Sequence, residues 1–196
     1  MSHRPIQLIV GLGNPGPQYE KTRHNVGVWF VEKIATQAFQ PVSKFFGLVS
    51  KATLGNQECF LLIPTTFMNH SGRSISALAN YYKIPPEAIL VAHDDLDLPA
   101  GQVRLKKDGG HGGHNGVRDV IAQLGSKQFH RLRIGIGHPG NREQVLDYVL
   151  SRPSKMDEEA IMTAIDSATS VMDEFISGNV DKAVQKLHTS QKPVVG

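Results

Sequence analysis

The chain has a single cysteine, Cys59, among 196 residues. That excludes an internal disulfide and a multi-cysteine zinc site, and it fits a reducing compartment, with the cytoplasm as default. No apolar run approaches the ~20 residues that a membrane-spanning helix needs. The opening Met1-Ser2-His3-Arg4-Pro5 runs straight into a strand-like stretch rather than a secretion signal. There is no G-x-S-x-G nucleophile elbow and no H-E-x-x-H zinc motif. Net charge is small, at +3.

What is present is unevenly placed. Residues 104–133 carry seven basic side chains (Arg104, Lys106, Lys107, Arg118, Lys127, Arg131, Arg133) against Asp108 and Asp119. Residues 143–175 carry eight acidic side chains against two basic. A positive segment of this kind points to a polyanionic partner, and nucleic acid leads. Inside that segment, residues 109–116 read GGHGGHNG. A stretch so rich in glycine is a loop that brings backbone, His111, His114 or Asn115 close to a ligand, or else a plain turn. The spacing Val117, Val120, Ile121, Leu124 then predicts a helix with Asn115 at its N-terminus.

The rest of the chain alternates strands and helices. Strands are expected at residues 6–10, 45–53, 58–63, 89–92, 103–105 and 131–137, the last half-exposed because arginine alternates with apolar residues. Gly55-Asn56 marks a hairpin turn. Helical faces are Val28, Val31, Ile34, Ala35 and Ala38; then Ile75, Leu78, Ala79 and Tyr82 behind a Ser71 cap; then Ile161 to Phe175 behind Ser154; and finally Val180 to Leu187. Residues 144–150 fit helix or strand, and 190–196 read as a frayed tail. This is the pattern of one α/β domain over 1–196 with a largely parallel sheet flanked by helices. The run Gly11-Leu12-Gly13-Asn14-Pro15-Gly16 has dinucleotide-fingerprint spacing, but Pro15-Gly16-Pro17 favours a turn over the helix that fingerprint requires.

Ligands of such folds bind at the carboxyl ends of strands. Asn14, Asn69 and Asp94 follow strand ends, Asn115 follows the glycine loop, and His24 lies just beyond the first strand. His24 is a general base or a capping histidine; a helix N-terminus would keep it neutral, the form a base requires. Asp94 is placed to orient it. The carboxamides suit a peptide group or a developing oxyanion. Phe67 and Met68 are core or the lining of an apolar slot. No metal is expected, since His111 and His114 sit in a poor glycine frame, and water with His24 as base remains the available nucleophile.

Five stretches, GLGNPGPQYEKTRHNVG (11–27), PTTFMNHSG (64–72), VAHDDLDLPAG (91–101), GGHGGHNG (109–116) and FHRLRIGIGHPG (129–140), closely resemble the bacterial-type peptidyl-tRNA hydrolases. The resemblance covers all but the two C-terminal helices. It implies hydrolysis of the ester joining a peptide to the terminal ribose of tRNA, by a cofactor-free, metal-free monomer with a mixed sheet between helices. It implies His24 as catalytic base and Asp94 as the group that keeps it basic. Asn14 would tell blocked from unblocked aminoacyl ends. Tyr19, Phe67, Met68, Asn69, His114 and Asn115 would lie around the acylated end. Lys106 and Arg133 would meet a tRNA phosphate. Asp108 departs from the pattern, standing where the family often has glycine and adding a negative charge beside Lys106 and Lys107. The rival expectation is an RNA-binding protein of the same fold without hydrolysis.

Overall fold

The computed structural model describes residues 4–191. Its described strands form one seven-stranded sheet in the order β2-β3-β4-β1-β5-β7-β6. The central four, β4 (Gln57–Pro64), β1 (Leu8–Gly11), β5 (Ile89–Asp95) and β7 (His130–Gly135), run parallel. The flanks β2 (Gln40–Val42), β3 (Gly47–Leu54) and β6 (Val103–Lys107) are antiparallel, so the sheet is mixed, with its parallel part at the centre.

Central strands of this kind are buried on both faces, which is why β1 and β5 read as unbroken apolar runs. Leu8, Val10, Ile89 and Val91 pack on one side with Ile75 and Leu78 of α2 (Ser71–Tyr82) and Val117 and Val120 of α3 (Asn115–Leu124). Ile9, Leu90, Ala92, Leu132 and Ile134 pack on the other with Phe30 and Val31 of α1 (Val26–Ile34). That second layer also takes in Ile161 and Ile165 of α5 (Lys155–Thr169), Phe175 of α6 (Met172–Ile176) and Leu187 of α7 (Val180–Ser190).

Several sequence expectations shift. Helix α1 buries Val26, Phe30, Val31 and Ile34 and stops before Ala38, because Ala35 turns to extended backbone. Ser71 is the first helical residue of α2 rather than its cap, and its hydroxyl donates to the Met68 carbonyl instead. β2 was not anticipated; it is a three-residue edge strand holding Pro41, which an edge tolerates. Residues 144–150 resolve as helix, α4 (Val145–Val149) following a 3-10 turn. The Ser154 cap holds, accepting from the Asp157 N–H, but the predicted long helix breaks before α6. Of the expected tail, Ser190 ends α7 and the Gln191 side chain accepts from the Val103 N–H; residues 192–196 lie outside the described part.

One contact positions the chemistry. A Cβ at Gly27 would stand 2.3 Å from the Ala92 carbonyl oxygen, and one at Gly11 2.4 Å from that of Gly27. The start of α1 therefore lies directly on the ends of β1 and β5. Gly27→Ala should lift the helix and cost about 1–3 kcal/mol, as overpacking does. A lower denaturant midpoint with an unchanged slope is the expected result, and an unaltered midpoint would show that the approach is not needed.

Candidate active site

His24 sits in a 3-10 turn, Arg23–Asn25, immediately before α1. Its turn is pinned by Arg23, whose guanidinium donates to Ser151 Oγ (2.6 Å) and the Tyr148 carbonyl (3.0 Å) and stacks 3.9 Å from the Tyr148 ring. Asp94, near the end of β5, shares the strand face of Leu90 and Ala92, so its carboxylate projects to the side on which α1 packs. The two meet: His24 Nδ1 lies 2.9 and 3.0 Å from Asp94 Oδ1 and Oδ2.

A third group completes the cluster. His114 Nε2 is 2.8 Å from Asp94 Oδ1, while its Nδ1 accepts from the N–H groups of Gly116 and Val117 and so caps α3. Those contacts set its tautomer, with the proton on Nε2. The resemblance implies His114 as a substrate contact; it lines the cleft, and both its nitrogens are engaged internally, where they fix Asp94 and start the helix carrying Asn115. The glycine loop holds Gly109, Gly112 and Gly113 at positive φ, where a side chain would be strained.

Although burial opposes ionisation, the two imidazoles hold the Asp94 carboxyl far below the usual carboxylate range. His24 moves the other way from the expectation of a helix N-terminus favouring the neutral ring. Burial pulls its pKa down, but the Asp94 charge and hydrogen bond win and raise it. His93, fully buried behind them, is pushed down to about 4 by burial and by His114. The trio His24, Asp94 and His114 brings its ligand-type atoms within 4.8 Å of one another. Its contacts are nevertheless those of N–H donors on a carboxylate, and His114 has no nitrogen left to give an ion.

The carboxamides gather nearby. Asn14 Oδ1 accepts from the Met68 N–H (2.7 Å), which turns its Nδ2 outward as a donor. Its backbone is clamped by the Asn25 side chain through two bonds of 2.9 and 3.0 Å. Asn69 lies exposed in the 3-10 turn Met68–His70, which packs against α3, the helix that exposed Asn115 opens. The Met68 side chain is 4% exposed and packs in the core, so it supports this corner rather than lining a slot. Phe67 is 57% exposed and meets Tyr19 edge-on, ring centroids 6.5 Å apart.

A cleft of about 730 Å³ is lined by His24, Asp94, Asn115, Lys106, Arg133 and Leu146, among others. The register of β6 and β7 places Lys106 opposite Arg131 and Arg104 opposite Arg133, all on one face. They are not equivalent. Arg133 donates to Asp95 Oδ2 at 2.7 Å. Arg131 is not the half-exposed cation its alternation suggested: it is buried, donating to the Gly109 and Gly110 carbonyls and tying the glycine loop down. Asp108 sits at φ 65°, a left-handed position that asparagine, aspartate and glycine tolerate, and its carboxylate accepts from the Gly109 N–H. Its charge acts on Arg131, partly offsetting the burial that pulls that guanidinium down.

Arg23, Asn25 and Arg131 were not singled out from sequence. Their roles depend on partners more than ten residues away, and the only local signal was that Arg23 and Asn25 flank His24.

The profile of the peptidyl-tRNA hydrolase family matches residues 8–194. The peptidyl-tRNA hydrolase of Pseudomonas paraeruginosa is 56% identical over 191 residues, covering 95% of this chain and 98% of that protein. That of Azotobacter vinelandii is 53% identical over 188 residues, covering 94% and 97%. The crystal structure of peptidyl-tRNA hydrolase from Acinetobacter baumannii superposes with a TM-score of 0.91 at 44% identity, covering 95% of this chain and 97% of that one. With matches over nearly its whole length, the chain belongs to the peptidyl-tRNA hydrolase family.

Proposed function

We propose that this chain hydrolyses the ester between a peptide and the 3′-terminal ribose of tRNA, using water activated by His24. One observation carries the reading: His24 Nδ1 is held on Asp94 at 2.9 Å, which directs Nε2 as an acceptor into a cleft shared with Asn115 and a basic wall. Nε2 takes a proton from water, and the hydroxide attacks the ester carbonyl. The Asn14 Nδ2 and the Asn69 and Asn115 carboxamides stabilise the oxyanion and hold the water. The tetrahedral intermediate collapses, and the ribose oxygen leaves with the proton from His24. A peptide carboxylate and tRNA with a free hydroxyl result. Asp94 stabilises the transient imidazolium, so the step asks for no cofactor and no metal.

The acceptor end of tRNA enters along Lys106 and Arg133, where phosphate would be received, and the acyl group lies toward Asn14, Asn69, Tyr19 and Phe67. Arg133 contributes less than Lys106, because Asp95 already holds it. Every group invoked belongs to one chain, so a monomer suffices, and a tRNA substrate fits an enzyme of the cytoplasm. The test is a defined N-acetylated peptidyl-tRNA incubated with the protein in EDTA. Peptide and deacylated tRNA should appear in equal amounts, with KM rising steeply with salt as phosphate contacts are screened. Release no faster than the protein-free rate would end the assignment.

A further inference from the structure

We infer that Arg73 is a specificity-determining residue that favours acidic side chains in the peptide part of the substrate. This rests on the orientation just given, with tRNA on the Lys106 side of His24 and peptide on the Asn69 side. Past Asn69 the 3-10 turn Met68–His70 leads into α2, where Arg73 stands four residues on and, like Asn69, is exposed.

Arg73 is unusually well prepared for a carboxylate. Its guanidinium lies 4.0 Å over the Phe46 ring, which fixes the plane and leaves the N–H edges outward. Phe46 is itself held, its carbonyl accepting from the Thr65 N–H at 2.9 Å, two residues before Phe67. Among the described residues Arg73 makes no ion pair. On the facing helix α3, Asp119 accepts from the Gly72 N–H at 2.8 Å. Between residues 40 and 82 the one acidic side chain is Glu58, already 3.2 Å from Lys51, while Lys44 adds a second cation over the Tyr81 ring at 3.9 Å. Residues 40–82 therefore carry more positive than negative charge, with Arg73 unpaired among them.

Spacing names the position. From Asn69 in the 3-10 turn to Arg73 in α2 the chain rises ~6–8 Å, close to two residues of extended peptide at ~3.4 Å each. With Asn69 at the ester-linked residue, Arg73 faces the side chain two residues before it.

The experiment compares acetyl-Xaa-Gly-Gly-tRNA with Xaa as Glu, Gln or Lys, all on the same tRNA. The native enzyme should prefer Glu over Lys by about two- to five-fold in kcat/KM, the size an exposed ion pair carries, and mostly through KM. The preference should shrink in 0.5 M salt, approach one in Arg73→Ala, invert in Arg73→Glu and persist at reduced size in Arg73→Lys. A native enzyme with no charge preference, or a preference that Arg73→Ala and Arg73→Glu leave intact, overturns the inference. Failure to cleave any of the three substrates is a different result and removes the assigned reaction itself.

Discussion

Replacing His24 with alanine should slow peptide release by about 10²–10⁴-fold, the range general-base assistance commonly supplies. Deacylated tRNA should still bind within a few-fold of the native affinity. The separation follows from the geometry. His24 touches the cleft through one ring nitrogen and otherwise leans on Asp94, whereas Lys106 and Arg133 stand on other strands and need nothing from it. Removing the ring takes away the proton acceptor and leaves the basic wall standing. The residual rate belongs to the carboxamides, of which Asn14 stays tied through Asn25 and Met68. Single-turnover release from a defined peptidyl-tRNA, measured beside tRNA binding, separates the two effects. Native turnover in His24→Ala would mean that another group takes the proton. A parallel loss of tRNA binding would mean that His24 holds the fold of the cleft.

The parts of this arrangement that sequence revealed are those with local physical signatures. Continuous apolar runs marked β1 and β5 because parallel central strands are covered on both faces. Gly55 and Asn56 marked the β3–β4 turn because both take positive φ there. Asp94 and Asn14 could be placed at one sheet end because they follow parallel strands. What stayed hidden was the use of polar groups inside the protein. Alternating arginines in β7 looked like a solvent face, yet Arg131 spends its donors on loop carbonyls and Arg133 is held by Asp95. His114 looked like a ligand contact, yet it bridges Asp94 and a helix N-terminus. In both cases the deciding partner is far along the chain, and periodicity carries no information about it. The His24 titration was misjudged for the same reason. A helix-terminus effect of about 0.3–1 kcal/mol is a local term, and it loses to a buried carboxylate seventy residues away.

That competition makes the pH profile of Asp94→Asn the sharpest test of the relay. In the native enzyme His24 titrates above its ordinary 6.5, because the Asp94 charge outweighs burial. The base works when unprotonated, so the acidic limb of kcat/KM should fall off below a pKa higher than 6.5. Asparagine removes the charge that raised the value and leaves the burial that lowers it, so the limb should move to below 6.5. More of the His24 population is then unprotonated at pH 7, and if protonation state were all that mattered the variant would be faster. It should instead be slower by about 10²–10⁴-fold, because the imidazolium formed in the transition state loses its counter-charge and the ring its fixed tautomer. A carboxamide that keeps its oxygen at the Oδ1 position for both imidazoles also leaves its NH₂ at the Oδ2 position, 3.0 Å from His24 Nδ1, where it confronts that N–H. A lower limb together with a lower plateau is the joint signature of a charged relay. A plateau that falls while the limb stays in place would instead assign Asp94 a purely steric role, and the electrostatic account of His24 would have to be given up.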